Sequence, residues 1–229
     1  MKTIGMLGGM SWESTLSYYK AINEGVKQSL GGLHSAKIVL YSFDFAEIED
    51  LQHRGDWTKT VEILSGAAQA IERAGADFLI ICTNTMHIIA REIQERIDIP
   101  IVHIADATGN ALKKDGINVV GLLGTRFTME QPFYKDKLKE NFGIKTLVPE
   151  EAERKIVHDI IYHELCLGVI KQDSKTAFLK VIENLKEQGA EAVILGCTEI
   201  ALLIKQADTE VPLYDTTAIH AASVVELAV

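Results

Sequence analysis

Short continuous apolar runs, bounded by glycines and polar turns, recur along the chain: Thr3 to Leu7, Lys37 to Phe43, Phe78 to Cys82, Ile101 to Ile104, Val119 to Leu123 and Ala192 to Leu195. Runs of this length without polar alternation predict strands buried on both faces. The longer segments between them carry apolar residues at helical spacing. From Trp57 to Ala74, for example, Val61, Leu64, Ala67, Ala68 and Ile71 fall on one face, which predicts an amphipathic helix. Strands that alternate with helices are joined by crossovers, and crossovers connect parallel neighbours. The pattern therefore predicts an α/β fold with mainly parallel sheets.

Comparing the chain with itself adds a second level of organisation. Ile4-Gly5-Met6-Leu7-Gly8 resembles Val120-Gly121-Leu122-Leu123-Gly124, offset by 116 residues. Gly75-Ala76-Asp77-Phe78-Leu79-Ile80 resembles Gly189-Ala190-Glu191-Ala192-Val193-Ile194, offset by 114, and Asp98-Ile99-Pro100-Ile101 resembles Glu210-Val211-Pro212-Leu213, offset by 112. Three separated landmarks at nearly one offset predict a duplicated unit and two pseudo-symmetric α/β domains. The expected division is a first domain of residues 1–105 plus 216–229 and a second of residues 106–215. The cleft between two such lobes is a preferred place for a small-molecule site.

Composition narrows the function classes. The chain has 229 residues, is 47% hydrophobic and carries 23 Lys and Arg against 32 Asp and Glu, a formal net charge of −9. That excess of acid, without clustered basic residues, argues against a nucleic-acid partner. The opening MKTIGMLGGMSWEST has its apolar run broken by Gly8-Gly9 and reads as neither a signal peptide nor a membrane span, so the expected location is the cytoplasm with no membrane partner. Three dispersed cysteines, Cys82, Cys166 and Cys197, read as free thiols and make no zinc pattern. His103, His158, His163 and His220 form no spaced metal set, so no metal is expected. GMLGGM is not a dinucleotide fingerprint, no phosphate-binding loop motif occurs, and nothing marks a pyridoxal site; no cofactor is expected.

The chemistry concentrates at two matching strand ends, Cys82-Thr83-Asn84-Thr85-Met86-His87 and Gly196-Cys197-Thr198-Glu199-Ile200. The offset of 114 sets Thr83 opposite Cys197, Asn84 opposite Thr198 and Thr85 opposite Glu199. Cys82 then falls opposite Gly196, and strand alternation sends its side chain to the other face. Small polar residues here cap helices, and the same geometry aims backbone N–H groups at an anion such as a substrate carboxylate. Free cysteine is often a small core hydrophobe, and Cys166, in a helical pattern, reads that way. Cys197 differs because it stands at a duplicated strand-to-helix junction, where a helix N-terminus lowers a thiol's pKa. The expectation is a Cys197 substantially ionised near neutral pH. His87 reads as a satisfied helix histidine or as a group that orients a neighbour.

On these motifs, together with IGMLGGMSWEST, FAEIEDLQHRGDW and GLLGTRFTMEQPFY, the chain resembles the aspartate/glutamate racemase family over essentially its full length. The resemblance implies cofactor-independent amino-acid racemisation at a site between two domains, with a cysteine from each half moving the α-proton. Here Thr83 stands at the first cysteine position, so the catalytic pair is read as Thr83 and Cys197, as in a subgroup acting on L-aspartate and L-glutamate. The resemblance also carries over substrate contacts to Met10, Gln52, Asn84, Thr85, Glu164 and Thr198. Arg54 is a candidate carboxylate partner, with a solvated loop as the alternative for both Gln52 and Arg54. Where some relatives have a lysine for a substrate carboxylate, the nearest equivalent here is Cys166, and Glu164 is read as meeting the amino group. The expected partner is a small amino acid, and relatives are often homodimers. Two alternatives stay open: a decarboxylase or other isomerase of the same fold using Cys197 alone, and a non-catalytic amino-acid-binding protein.

Overall fold

The computed structural model describes all 229 residues. In chain order the elements are β1 (Thr3–Gly8), α1 (Trp12–Leu30), β2 (Lys37–Ser42), α2 (Phe45–Arg54), α3 (Trp57–Arg73), β3 (Phe78–Ile81), α4 (Ala90–Gln94), α5 (Ile104–Lys114), β4 (Val119–Gly124), α6 (Arg126–Glu130), α7 (Pro132–Phe142), β5 (Lys145–Leu147), α8 (Glu151–His163), α9 (Gln172–Glu187), β6 (Ala192–Gly196), α10 (Ile200–Leu203), β7 (Leu213–Asp215) and α11 (Thr216–Ala228). The chain divides into two compact units, Met1–Ile104 with His220–Val229 and Ala105–Ile219. Both divisions fall inside helices, at the first turn of α5 and just after the first turn of α11. No helix is long and apolar enough to cross a membrane.

The first unit is built on a parallel sheet in the order β2-β1-β3, and both faces of its central strand are covered. Ile4, Met6, Phe78 and Ile80 pack with Tyr18, Ile22 and Val26 of α1 and Val224 of α11. Leu7, Leu79 and Ile81 pack on the other face against Val61, Leu64, Ala67, Ala68 and Ile71, the stripe predicted for α3. Burying each such aliphatic side chain contributes about 1.5–3 kcal/mol. Gly9, after β1, has φ +85, and a Cβ there would fall on the backbone of Phe43, so the turn out of the strand needs glycine.

The second unit repeats this plan in the order β5-β4-β6-β7, again parallel throughout. Its correspondence with the first is detailed. Asp77 Oδ2 accepts the N–H of Thr3 at 2.6 Å, and Glu191 Oε2 accepts the N–H groups of Asn118 at 2.6 Å and Val119 at 3.1 Å, so the same acidic position ties the strand starts together in both units. Leu79 N–H donates to the Pro100 carbonyl at 2.9 Å, and Val193 N–H donates to that of Pro212 at 2.8 Å. The core of this unit gathers Val157, Ile161, Phe178, Ile182, Leu185, Val193 and Leu195.

Lys37–Ser42 forms β2 as expected but stands at the sheet edge, largely exposed and not buried on both faces, and two further strand expectations differ from the structure. Ile101 to Ile104 is not a strand: Ile101 makes an isolated bridge to Leu79, and Ile104 already opens α5. The chain pairs for one residue and then turns, because Ile104 N–H is taken by a histidine ring instead of a neighbouring strand. Conversely, β5 and β7 are strands of three residues that carry no continuous apolar run.

Candidate active site

Both chemical strand ends follow the pleat of the strands that carry them. In β3, Leu79 and Ile81 enter the cluster beneath α3, while Phe78, Ile80 and then Cys82 enter the cluster beneath α1 and α11. Cys82 is fully buried, and burial pushes its thiol far above the ordinary cysteine range. Its backbone is fixed as well: Cys82 N–H donates to the Leu7 carbonyl at 2.9 Å, and Ser14 Oγ donates to the Cys82 carbonyl at 2.9 Å. Thr83, one step on, is only partly buried. In β6 the same alternation carries Val193, Leu195 and then Cys197 along one face, with Cys197 half-buried at the edge of the core and Cys166 packed against the same cluster. Gly196 occupies the place equivalent to Cys82, where a Cβ would lie 2.7 Å from the Leu123 carbonyl oxygen.

The helices after these strand ends are shorter than the motif suggests. Thr85–Ile89 is a 3₁₀ turn leading into the five-residue α4, and α10 has four residues. Asn84 and Glu199 stand at the N-cap positions, yet neither makes a side-chain capping bond. Asn84 and Thr85 are buried, and Thr198 is partly exposed.

The electrostatics of Cys197 correct the expectation of a resting thiolate. Burial and the Glu199 carboxylate push the thiol well above the ordinary range, with a further upward contribution from Cys166. Cys197 Sγ donates to Glu199 Oε2 at 3.0 Å, and Thr198 Oγ1 donates to the same oxygen at 2.6 Å. A one-turn helix has little macrodipole to set against a carboxylate at hydrogen-bond distance. Glu199, itself buried, is the residue that the motif reading passed over, although the Cys-Thr-Glu spacing put it beside the thiol.

His87, behind Thr83, is buried and bonded through both ring nitrogens. Nδ1 lies 2.8 Å from the Thr83 carbonyl oxygen, and Nε2 lies 3.2 Å from the Ile104 backbone nitrogen. The rings of His103 and His220 stand 4.4 Å and 6.1 Å from it, centroid to centroid. Burial, then these two neighbours, hold the His87 pKa well below the ordinary value.

The other substrate-contact candidates have local partners. Met10 is buried among Leu7, Ile48 and Met86. The segment FAEIEDLQHR is helix α2 and not a loop, started by Asp44, whose Oδ1 accepts the Ala46 N–H at 3.1 Å, and closed by Gly55 in the left-handed region. Gln52 is buried on that helix, whereas Arg54 is exposed and pairs with Asp50 one turn back at 2.8 Å. Glu164 Oε1 accepts from Lys171 Nζ at 3.1 Å and Oε2 from Ser174 Oγ at 2.5 Å, which holds its carboxyl below the usual range. No three His, Cys, Asp or Glu side chains gather as a metal ion would require.

The Asp/Glu/Hydantoin racemase family matches residues 7–224. The chain belongs to that family. A crystal structure of a Yersinia pestis protein described provisionally as an Asp/Glu racemase is 52% identical, covers 100% of this chain and 99% of its own, and superposes with a TM-score of 0.94. An aspartate racemase homologue from Pyrococcus horikoshii OT3 is 37% identical, with coverage of 100% and 99% and a TM-score of 0.86. The broad specificity amino-acid racemase RacX of Bacillus subtilis (strain 168) is 25% identical over 97% of this chain and 96% of its own length. Family membership makes this racemase an isomerase with the α/β architecture read from its sequence.

Proposed function

We propose that the protein racemises aspartate or glutamate, entering from the L-enantiomer, with Cys197 and Thr83 exchanging the α-proton on opposite faces and no cofactor taking part. The observation that carries this reading is the thiol of Cys197, a half-buried residue, donating to the buried Glu199 carboxylate. Because that thiol rests protonated, the base forms by passing its proton to Glu199 Oε2, 3.0 Å away, instead of to solvent. The thiolate then takes the α-proton, and the Thr83 hydroxyl returns one to the other face. A hydroxyl is a far weaker acid than a thiol, so inversion is slower than exchange on the cysteine side. The burial supports Thr83 over Cys82, since Cys82 is sealed in the core while Thr83 is only partly buried. Asn84, Thr85 and Thr198 are assigned to the substrate carboxylate, where hydrogen bonds stabilise the carbanion.

The test is α-proton exchange in deuterated water over a panel of L- and D-amino acids, which also compares this chain with the broad specificity of the Bacillus subtilis relative. L-aspartate and L-glutamate should gain α-deuterium fastest, and Cys197→Ser should abolish the gain while substrate still binds in calorimetry. Binding without exchange of any amino acid would establish a binding protein, and loss of carbon dioxide would establish a decarboxylase.

A further inference from the structure

The carbonyl of Thr83 lies in the three-residue turn between the end of β3 and the 3₁₀ turn that begins at Thr85, beyond the reach of the sheet's ladder. It is held by the His87 ring at 2.8 Å. The tautomer of that ring follows from its other contact. The Ile104 backbone N–H, first in α5 and without an acceptor inside that helix, can only donate, so Nε2 at 3.2 Å must be the bare nitrogen. Nδ1 therefore carries the proton and donates it to the Thr83 carbonyl. A flat ring with both nitrogens committed, buried beside the rings of His103 and His220, ties two backbone points that are 21 positions apart in the chain. Threonine is β-branched and restricted at χ1, so fixing its backbone narrows the positions open to its hydroxyl.

We infer that His87 is a positioning residue for Thr83: as the neutral Nδ1–H tautomer it braces the Thr83 carbonyl against the start of α5 and so aims the Thr83 hydroxyl. This role rests on the reading of Thr83 as the proton donor of one face. His87 itself touches no reacting atom. Its loss should slow the step that Thr83 performs and leave the cysteine-side step alone, because Cys197 is held by a different unit and by its own carboxylate. Misplacing a reacting group by about 1 Å can cost on the order of 100-fold.

The experiment compares two substitutions that split the ring's functions. His87→Asn supplies a donor near the place of Nδ1 and loses the acceptor for Ile104; His87→Gln supplies an acceptor near the place of Nε2 and loses the bond to Thr83. With L-aspartate in deuterated water, loss of the α-proton reports the cysteine side, and D-aspartate formed, measured by chiral chromatography, reports Thr83. His87→Gln should lower the ratio of inversion to proton loss by about tenfold or more, and His87→Asn should keep it within about threefold of wild type. A purely structural role would reduce both rates together in both variants, and that result overturns the proposal. Thr83→Ala separates it from the functional reading: unaffected inversion in that variant, or none in the wild type, overturns the role of Thr83 and this one with it. Normal inversion in His87→Gln beside defective Thr83→Ala overturns His87 alone. On the unmodified protein, imidazole nitrogen NMR should show protonated Nδ1 and bare Nε2 from about pH 8 to about pH 5.5, across the ordinary histidine pKa of about 6.5. An Nε2–H tautomer or an ordinary titration overturns the proposal whatever the rates.

Discussion

Acid should loosen the first unit through His220, and the size of the effect follows from where its ring lies. The imidazole is fully buried on α11; Nε2 donates to the Val102 carbonyl at 2.8 Å, which leaves Nδ1 to accept from the Tyr18 hydroxyl at 2.9 Å. Tyr18 stands edge-on to it, the neutral ring of His87 lies 6.1 Å away, centroid to centroid, and that of His103 lies 4.4 Å from His87. Burial pushes the His220 pKa down to about 4, against about 6.5 in an unfolded chain. Between those values the unfolded state binds the proton and the folded state does not. The stability from keeping this ring neutral is therefore complete above about pH 6.5 and lost progressively as pH falls toward 4. At about pH 5 the loss is on the order of 2 kcal/mol. Urea unfolding at about pH 7.5 and about pH 5 measures it, with His220→Gln as the non-titrating reference. That variant keeps a donor for Val102 and gives up the partner of the Tyr18 hydroxyl, so it should be less stable at the higher pH by about 1–3 kcal/mol. Its further loss on acidification should be smaller than wild type's by about 2 kcal/mol, since His87 and the carboxylates act equally in both proteins. Both tryptophans, Trp12 and Trp57, belong to the first unit, so their fluorescence follows the relevant transition. Equal pH losses in the two proteins would refute the assignment of a neutral buried ring.

Glu199→Gln removes the charge that pushes the Cys197 thiol up, so alkylation of Cys197 near neutral pH should quicken while α-proton exchange of L-aspartate slows for want of the proton acceptor; slower alkylation would contradict the electrostatic account. Gly196→Ala should destabilise by about 1–3 kcal/mol in thermal unfolding, because its Cβ would meet the Leu123 backbone and the Leu122 side chain. Gly66→Ala, exposed on α3 with open space around it, should instead stabilise by about 0.5–1 kcal/mol, and a loss there would show that α3 is packed differently.

The parts of the fold legible in the sequence are those whose burial is continuous. β1, β4 and β6 lie inside their sheets and β3, at a sheet edge, is buried along its length, so each is apolar throughout; β2 is the exception, an apolar run that is legible although the strand is largely exposed. β5 and β7 were invisible because three half-covered residues leave no periodicity to detect, and the Pro212 landmark marked the position of β7 without its structure. Ile101 to Ile104 has the composition of a strand, but the backbone bond that would extend it goes to a side chain. At the site, the internal repeat carried the register of Thr83 and Cys197 because alternation along a strand is a geometric necessity. The charge state of Cys197 was not legible: adjacency in sequence does not say whether the Glu199 carboxylate folds back onto the thiol or points away. Nor was the bracing by His87, since both of its partners are backbone atoms and one comes from Ile104, 17 residues away.

The duplicated backbone has been furnished differently at its two chemical ends, and this bears on the unequal work proposed for the two halves. The strand-start ties at Asp77 and Glu191 and the strand pairings are retained in both units. Past the strand ends the likeness stops. Thr83 is followed by Asn84, Thr85 and a histidine that holds its carbonyl, whereas Cys197 is followed by Thr198 and a carboxylate that holds its thiol proton. At the offset of 114 the counterpart of Glu199 is Thr85, which carries no charge. The asymmetry therefore has two layers. One is intrinsic, a hydroxyl against a thiol; the other belongs to the neighbours, a rigid neutral brace against an ionisable acceptor. A base that must be made by proton transfer needs the acceptor, whereas a group that only delivers a proton needs its direction fixed, and each unit carries the neighbour suited to the task assigned to it.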